Sequence, residues 1–305
     1  MGESFEIREI VVSGVGERLD KYLAAQFADL SRAQLQVLIR AGQVTVNGAT
    51  AKASLRLEGG ERIWVQVPVE EAPAGPEPEA IPLVVLYEDE QIVVVDKPAG
   101  MVVHPAFGHQ TGTLVNAVLS RWPQIADFTE PGRAGIVHRL DKETSGVIAI
   151  AKTPQALESL RAQFKARTIG KSYLALVEGL PQTPEGVIDA PIGRDTRQRK
   201  RMAVVRDGRE ALTEFRVAQV FASFSLLEVW PKTGRTHQIR AHLAFIGHPV
   251  VGDTVYGRRK QPFTLKRHFL HAASLTFAHP VSGEPITVES PLPVALQNLL
   301  DKLPR

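Results

Sequence analysis

HRLDKETSG, residues 138 to 146, is a polar loop that separates two apolar runs of the chain. The run after it, Val147 to Ile150, is short and bounded by turn residues, which predicts a buried β-strand. The loop therefore places charged side chains, among them Arg139 and Asp141, at the mouth of that strand. A solvated turn and a functional site both fit this pattern, so the rest of the chain has to distinguish them.

The composition is that of a globular protein with about two domains. The chain has 305 residues, of which 44% are hydrophobic and 23% are charged, so it can bury a sizeable core. It has no cysteine, which excludes disulfides and thiolate metal sites and indicates a cytoplasmic protein. No apolar run approaches the roughly 20 residues of a membrane span, and the first residues lack the apolar segment of a secretion signal. We therefore expect no membrane partner.

Positive charge is concentrated in two segments of an otherwise balanced chain. The formal net charge is only +3, with an isoelectric point near 9.1. Residues 197–201, RQRKR, hold four cations in five positions, and residues 258–268 hold five Lys or Arg without an acidic residue. Such clusters are typical of phosphate contacts, although they also occur in ordinary solvated loops. The charge pattern alone leaves both interpretations open.

A stretch rich in proline and glutamate divides the chain. EEAPAGPEPEAIP, residues 70–82, has four prolines, four glutamates and no large apolar residue before Ile81, which is typical of an extended linker. We therefore predict a first domain at residues 1–70, a linker at 71–82 and a second domain at 83–305.

The first domain is predicted to contain two short helices followed by a small hairpin. Apolar residues at helical spacing indicate a helix within ERLDKYLAAQF, and Ser31 and Gly42 are suitable caps for the helix after it. Asn47-Gly48 predicts the tight turn of a β-hairpin, and the following IWVQV alternates as a strand does. Together these elements predict a compact α/β module.

The second domain is predicted to be α+β. Strand patterns occur in PLVVLYE, in QIVVVDK, directly after the opening loop, and in SYLALVEG, ALTEFRVAQVF and FSLLEVWP. Helical patterns occur at 113–122, after Thr153-Pro154 and at 236–246. Because long strands follow one another with few helical crossovers, we expect a mixed, mainly antiparallel sheet with flanking helices.

Several familiar chemistries lack their motifs. Walker and dinucleotide glycine patterns, the HExxH zinc motif and the G-x-S-x-G of serine hydrolases do not occur. His268 and His271 have a spacing found among metal ligands, but no third ligand is near them in sequence, so no metal is expected. Three polar residues on separate segments remain and should converge on the sheet, namely Asp141, Tyr173 and Arg240. An acid, a phenol and a guanidinium can handle protons and one covalent bond.

Four motifs in order carry a resemblance to a known family. HRLDKETSG matches the H-R-L-D-x-x-T-S-G signature of the RluA/RluC/RluD family of pseudouridine synthases. KPAG at 97–100, K-x-Y at 171–173 and TGRTHQIRAH at 233–242, with HPVVGDTVYG beyond, match its other motifs. The first domain resembles the RNA-binding domain of ribosomal protein S4 in its Arg-Leu-Asp start, its Ser-Arg helix opening and its V-x-V-N-G turn. The chain looks most like the RluD type, which implies a pseudouridine synthase fold acting on large-subunit ribosomal RNA.

The resemblance implies an isomerase that needs no cofactor. Uridine becomes pseudouridine when the N1–C1′ bond is cleaved, the base turns, and C5 is joined to C1′. Asp141 is implied to be the catalytic residue, which either attacks covalently or removes a ribose proton, and Arg240 to be the cation that keeps it ionised. Tyr173 is implied to pack on the flipped base and is a candidate for removing the C5 proton.

The expected RNA contacts come from the resemblance and from the basic segments. Arg139 is implied to replace the base that leaves its stem, with a surface ion pair to Glu143 as the alternative. His138 and Thr144 are expected to shape the loop, and Gly146 to allow close packing. The partner is expected to be ribosomal RNA, bound by a monomer. The further contacts expected on it are Arg32, His104, Arg197, Arg199, Lys200 and Arg201.

Other functions remain open beside this one. A non-catalytic RNA-binding factor for ribosome assembly could share the fold, but it would have no reason to keep Asp141, Tyr173 and Arg240 together. A glycosidase-like hydrolase needs a second carboxylate across the scissile bond, and Glu143 lies only two positions from Asp141. Within the family, transfer RNA or another ribosomal site is a further possible substrate, because loops and accessory domains set that choice.

Overall fold

The computed structural model of the chain describes residues 5–27, 29–68, 75–106, 108–195, 198, 201–257, 263 and 265–304. The chain divides into two compact units, Met1–Ala74 and Gly75–Arg305, and each has its own hydrophobic core. Among the described residues, no helix has both the length and the apolar character that a membrane crossing requires.

In the described part of the first unit, four strands form one antiparallel sheet beside two helices. In chain order the elements are β1 (Phe5–Val11), α1 (Leu19–Gln26), α2 (Arg32–Arg40), β2 (Val44–Val46), β3 (Ala49–Thr50) and β4 (Arg62–Pro68), and the sheet order is β1-β4-β2-β3. Ser31 caps α2 as predicted, since its hydroxyl accepts from the Gln34 N–H and the Gln34 side chain accepts from the Ser31 N–H. Asn47 and Gly48 both have positive φ, as a two-residue hairpin turn requires. Strand β1 is an addition to the predicted elements.

In the second unit, nine of the described strands form one sheet. In chain order the elements are β5 (Val84–Glu88), β6 (Ile92–Lys97), α3 (Leu114–Arg121), β7 (Ser145–Ala151), α4 (Pro154–Ala166), β8 (Gly170–Glu178), β9 (Glu185–Asp189), β10 (Ile192–Arg194), β11 (Met202–Val204), β12 (Leu212–Val220), β13 (Phe224–Pro231), α5 (Gln238–Phe245), β14 (Leu270–Ala278), β15 (Pro285–Glu289) and α6 (Val294–Leu300). Strands β10 and β11 pair only with each other among the described residues. The predicted α+β class with a mixed, mainly antiparallel sheet is confirmed.

Strand β14 joins the two halves of the large sheet. The sheet order is β5-β6-β7-β14-β8-β13-β12-β9, with β15 also paired to β14. β14 runs parallel to β7, with Ala272 opposite Gly146, and antiparallel to β8. Gly146 has a φ of 119°, and a Cβ there would lie 2.1 Å from the Ala272 carbonyl oxygen, so only glycine fits. The close packing expected at this glycine is therefore present.

Part of the segment predicted as a linker is bound to the second unit. The Asn116 side-chain amide of α3 donates to the Glu77 carbonyl oxygen at 2.7 Å, and the Glu79 N–H donates to the Asn116 carbonyl oxygen at 3.0 Å. The Glu79 carboxylate also accepts from the Gly112 N–H at 2.9 Å. Although its composition is typical of a linker, this segment thus contains residues that are hydrogen-bonded to α3.

Candidate active site

The KPAG segment, residues 97–100, donates hydrogen bonds to the backbone of the HRLDKETSG loop. The Thr144 N–H donates to the Asp141 carbonyl oxygen at 3.0 Å and closes a turn. The next carbonyl oxygen, that of Lys142, accepts from the Gly100 N–H at 2.8 Å and from the Lys97 ammonium at 3.2 Å. Lys97 is fully buried, and burial lowers its pKa to about 7. The loop backbone from Asp141 to Thr144 is therefore held by hydrogen bonds.

His138 and Thr144 shape the loop, as expected from the sequence. His138 Nε2 accepts from the Ala149 N–H at 2.9 Å, and its ring stacks on Phe164 with centroids 4.8 Å apart. Burial lowers the pKa of His138 to about 3, so the ring is neutral and Nε2 is free to accept. The Thr144 hydroxyl lies 2.8 Å from His268 Nε2. Both side chains are thus used to hold the loop.

His268 and His271, which have metal-ligand spacing, form hydrogen bonds with other residues of the second unit. His271 Nδ1 lies 2.9 Å from the Ser145 hydroxyl, and its Nε2 lies 3.0 Å from the Ser290 carbonyl oxygen. His268 faces Thr144. Within the described ranges, no group of three or more His, Cys, Asp or Glu side chains is placed to hold a metal ion.

Arg240 bonds two carboxylates at once. Its Nη1 donates to Asp141 Oδ2 at 2.9 Å, while Nε and Nη2 donate to the two oxygens of Asp253 at 2.6 and 3.0 Å. Burial alone would raise the pKa of Asp253, but the hydrogen bonds and charge of Arg240 outweigh burial and hold that pKa below its usual range. The structure thus brings Asp141 and Arg240 together and adds Asp253, which is not among the predicted site residues. The signal for Asp253 is its position in HPVVGDTVYG, directly after the helix that carries Arg240.

Asp141 and Arg240 line a cleft of about 580 Å³ that also contains Tyr173 of β8. Burial raises the pKa of Tyr173 above its usual range, and the negative charge of Asp141 raises it further, so the phenol is neutral at neutral pH. Burial also lowers the pKa of Lys171 to about 8, with Arg167 and Lys232 contributing. The three polar residues expected to converge on the sheet therefore lie in one cleft.

A histidine directly before α5 faces the same carboxylate. His237 has a φ of 55°, in the left-handed region, and its Nε2 lies 4.0 Å from Asp141 Oδ2. Its Nδ1 lies 3.1 Å from the Tyr256 hydroxyl. The Tyr256 ring contacts two guanidiniums: that of Arg201 lies 4.9 Å from its centroid and that of Arg240 lies 5.2 Å from it. Neither His237 nor Tyr256 is among the predicted site residues.

Comparison with known proteins places this arrangement in a family. Residues 91–245 match the family described as RNA pseudouridylate synthase, and residues 17–63 match the S4 domain. The first range covers about half of the chain and contains the HRLD loop, Tyr173 and Arg240. The chain belongs to the RNA pseudouridylate synthase family. The resemblance read from the four motifs is confirmed, and this synthase is an isomerase.

Relatives match this synthase along nearly its whole length. It is 52% identical to an uncharacterized RNA pseudouridine synthase of Chloroflexus aurantiacus, over 98% of this chain and 94% of that protein. It is 46% identical to ribosomal large subunit pseudouridine synthase D of Xanthomonas campestris pv. campestris, over 97% of this chain and 92% of that protein. Among solved structures, human RNA pseudouridylate synthase domain containing 1 is similar with a TM-score of 0.57 and 29% identity, covering 70% of this chain and 84% of that one.

The residues expected to contact RNA fall in different parts of the synthase. Arg139 is exposed and lines the cleft, and among the described residues it has no ion-pair partner, Glu143 included. His104 also lines the cleft. Arg32 lies in the first unit, where it donates to the buried carboxylate of Asp20. Arg201 lies against Tyr256, as described above, and the remaining three lie outside the described residues: Arg197, Arg199 and Lys200.

Further cations that are not among the predicted RNA contacts also line the cleft. They are Arg133, Lys165, Arg167, Lys171, Lys232 and Arg235. Among the described residues that line the cleft, Asp141 is the one carboxylate. In the second basic segment, Arg267 donates to the carbonyl oxygens of His268 and Leu270. Its guanidinium therefore stabilises the local backbone. A cleft lined by these described cations suits a polyanion.

Proposed function

We propose that this synthase isomerises uridine to pseudouridine in large-subunit (23S) ribosomal RNA, with Asp141 as the catalytic carboxylate and without a cofactor. The observation that carries the proposal is the hydrogen bonding of the two Asp141 carboxylate oxygens in the cleft. Arg240 donates to Oδ2, whereas Oδ1 accepts no hydrogen bond from any described residue. One oxygen is therefore held and the other is available to a substrate.

A single carboxylate suits the chemistry. The reaction exchanges an N1–C1′ bond for a C5–C1′ bond within one nucleotide, so it needs neither a redox partner nor a second substrate. Asp141 either attacks C1′ or takes a proton from the ribose, and in both cases it must be ionised and correctly oriented. The Arg240 guanidinium stabilises the negative charge, and Asp253 holds that guanidinium on its other side.

Tyr173 fits the role of a stacking surface better than that of a base. Its ring lies in the cleft with Asp141, where a flipped uracil can pack on it. Its raised pKa means that the phenolate form is scarce at neutral pH. We therefore assign Tyr173 to base stacking, and removal of the C5 proton by Tyr173 requires that RNA binding lower its pKa.

Large-subunit ribosomal RNA is the proposed target, and ribosome biogenesis in the cytoplasm the proposed setting. The S4 match at residues 17–63 and the relatives named for the ribosomal large subunit support this choice. The cationic lining of the cleft supports an RNA substrate without distinguishing ribosomal from transfer RNA. The same reaction on transfer RNA is therefore the competing outcome of the test.

The test is a mapping of pseudouridine by carbodiimide-dependent stops of reverse transcription. Purified enzyme, treated with EDTA and dialysed, is incubated with 23S ribosomal RNA and, separately, with a transfer RNA pool. We expect new stops in 23S RNA only, at full extent after EDTA treatment. Stops confined to transfer RNA would overturn the proposed target. Loss of activity that an added metal restores would overturn the cofactor-free reaction. Binding without any stop would indicate a non-catalytic RNA-binding factor.

A further inference from the structure

The Tyr256 hydroxyl determines which nitrogen of His237 carries a proton. It accepts the Met202 N–H at 2.9 Å and lies 3.1 Å from His237 Nδ1. A phenol has one proton to donate, and among the described residues Nδ1 is the only acceptor within hydrogen-bond distance of it. The arrangement that satisfies the hydroxyl is therefore O–H donating to Nδ1. The neutral ring then carries its own proton on Nε2.

Nε2 is also the ring nitrogen that lies near the carboxylate of Asp141. Nε2 lies 4.0 Å from Oδ2, the same oxygen that accepts from Arg240 at 2.9 Å. A separation of 4.0 Å is longer than a hydrogen bond, but such contacts commonly tighten when substrate fills a site. Two donors on one side of the carboxylate would fix its rotation and leave Oδ1 as the atom that faces the substrate.

The backbone at His237 has an unusual conformation. Its left-handed φ of 55° is unusual for a residue with a side chain and lies at the junction between the TGRT segment and α5. Burial lowers the pKa of His237 below its usual range, although Asp141 opposes the shift, so the ring is mostly neutral at neutral pH. A neutral imidazole has one N–H, which makes its position decisive.

We propose that His237 is a positioning residue for this reaction: its Nε2–H, fixed by the Tyr256 hydroxyl, becomes the second donor to Asp141 Oδ2 when RNA is bound and directs Oδ1 at the ribose. The proposal rests on the assignment of Asp141 as the catalytic carboxylate. It gives the Tyr256 hydroxyl an indirect part, since the hydroxyl acts on the reaction through His237, whereas the ring beside Arg240 is kept in Tyr256→Phe.

The first test reads the tautomer directly in the RNA-free enzyme. Nitrogen-15 NMR of histidine-labelled protein distinguishes a protonated from an unprotonated ring nitrogen, and the His237→Asn variant identifies the signals that belong to His237. We expect Nε2 protonated and Nδ1 unprotonated in the wild type, and a mixture of tautomers in Tyr256→Phe. Nδ1 protonated in the wild type, or the same tautomer in Tyr256→Phe, would overturn the proposal.

The second test compares two amides at position 237. The amide nitrogen introduced by His237→Gln can take the place of Nε2, whereas that of His237→Asn takes the place of Nδ1 and cannot reach Asp141. We expect the single-turnover rate of His237→Gln within about 3-fold of wild type, and that of His237→Asn lower by about 10- to 100-fold, the range for a lost hydrogen bond to a charged group. RNA affinity should stay the same in both. Asparagine tolerates positive φ well, so the thermal midpoint of His237→Asn should be preserved.

Tyr256→Phe needs a matched control, because the change also removes an acceptor for the Met202 N–H. Tyr87→Phe loses a hydrogen bond from its hydroxyl to Asp89 and does not line the cleft among the described residues. We expect Tyr256→Phe to slow the single-turnover rate by several-fold and Tyr87→Phe to leave it unchanged. A wild-type rate in His237→Asn beside an inactive Asp141→Asn would overturn the role of His237 alone. Full activity of Asp141→Asn would instead overturn the proposed function.

Discussion

Each unit of the synthase holds a carboxylate among arginines, and the two carboxylates are bonded differently. Asp20, in α1, is completely buried and accepts hydrogen bonds from Arg18, Arg32 and Gln36. Asp141 is 18% exposed and, among the described residues, accepts one hydrogen bond to its side chain, from Arg240. A carboxylate whose oxygens are saturated with donors stabilises the fold, whereas one with an unoccupied oxygen in a cleft can act on a substrate.

Asp253 shows that a neighbouring arginine alone does not distinguish the carboxylate that we propose to be catalytic. It is completely buried, and Arg240 and two backbone N–H groups donate to it, so it resembles Asp20 although it lies beside Asp141. Arg240 therefore links a saturated carboxylate to an unsaturated one. The predictions below test this division.

The largest effect is expected at Asp141. Asp141→Asn removes the charge and keeps the shape, so the rate of isomerisation should fall by about 10³-fold or more, the scale seen when a reacting group is lost. RNA affinity should stay within a few-fold of wild type. Single-turnover assays on a stem-loop and filter binding measure the two quantities. A variant that turns over near the wild-type rate would show that the carboxylate has been misassigned.

Arg240→Met should affect both stability and turnover. The change leaves Asp253 buried without a countercharge, which costs about 3–5 kcal/mol of unfolding free energy. Urea unfolding followed through Trp122 and Trp230, which lie in the second unit, measures it. The double variant Arg240→Met/Asp253→Asn should recover much of the stability but not the turnover. If the double variant is no more stable than the single one, the lost unfolding free energy does not come from the unpaired charge of Asp253.

At Asp20 the expected effect is confined to stability. Asp20→Asn should destabilise the first unit by about 1–3 kcal/mol, because charge-assisted hydrogen bonds are lost, while the rate on saturating stem-loop RNA stays the same. Hydrogen bonds from Arg18 in particular hold the pKa of Asp20 below its usual range. Its contribution is therefore present above the unfolded pKa of about 3.9 and is lost as pH falls below it. Urea unfolding followed through Trp64 should show wild type and variant converging as pH drops from about 5 to 2. A gap that stays constant would contradict the assignment.

The smallest effect on the fold is expected at Arg139. Arg139 is exposed and unpaired among the described residues, so Arg139→Ala should change the unfolding free energy by less than about 0.5 kcal/mol. Activity on a base-paired stem should fall more than activity on an unpaired loop, because flipping a base out of a loop costs less. Thermal melts and rates on both substrates measure this. Equal losses on both substrates would argue against a role in base replacement.

Much of the fold and part of the site could be predicted from the sequence, since both depended on local patterns. The capped helix after Ser31 and the α+β alternation were visible as periodicity, and the Asp141 loop as a motif. Asp253 and His237 are not among the predicted site residues, because neither periodicity nor motif spacing reveals a bidentate hydrogen bond or a left-handed φ. Strand β14 was also not predicted, since its long-range pairing with β7 and β8, more than its own pattern, places it in the sheet.

The position of β14 has a consequence for when the enzyme becomes active. Asp141 directly precedes β7 and Tyr173 lies in β8, and in the described sheet these strands are connected only through β14. A growing chain that has been translated just past Arg240 has all three site residues but not the strand that sets their spacing. Because β14 connects β7 to β8 and ends at residue 278, we expect the cleft to form only after this stretch of chain has been synthesised.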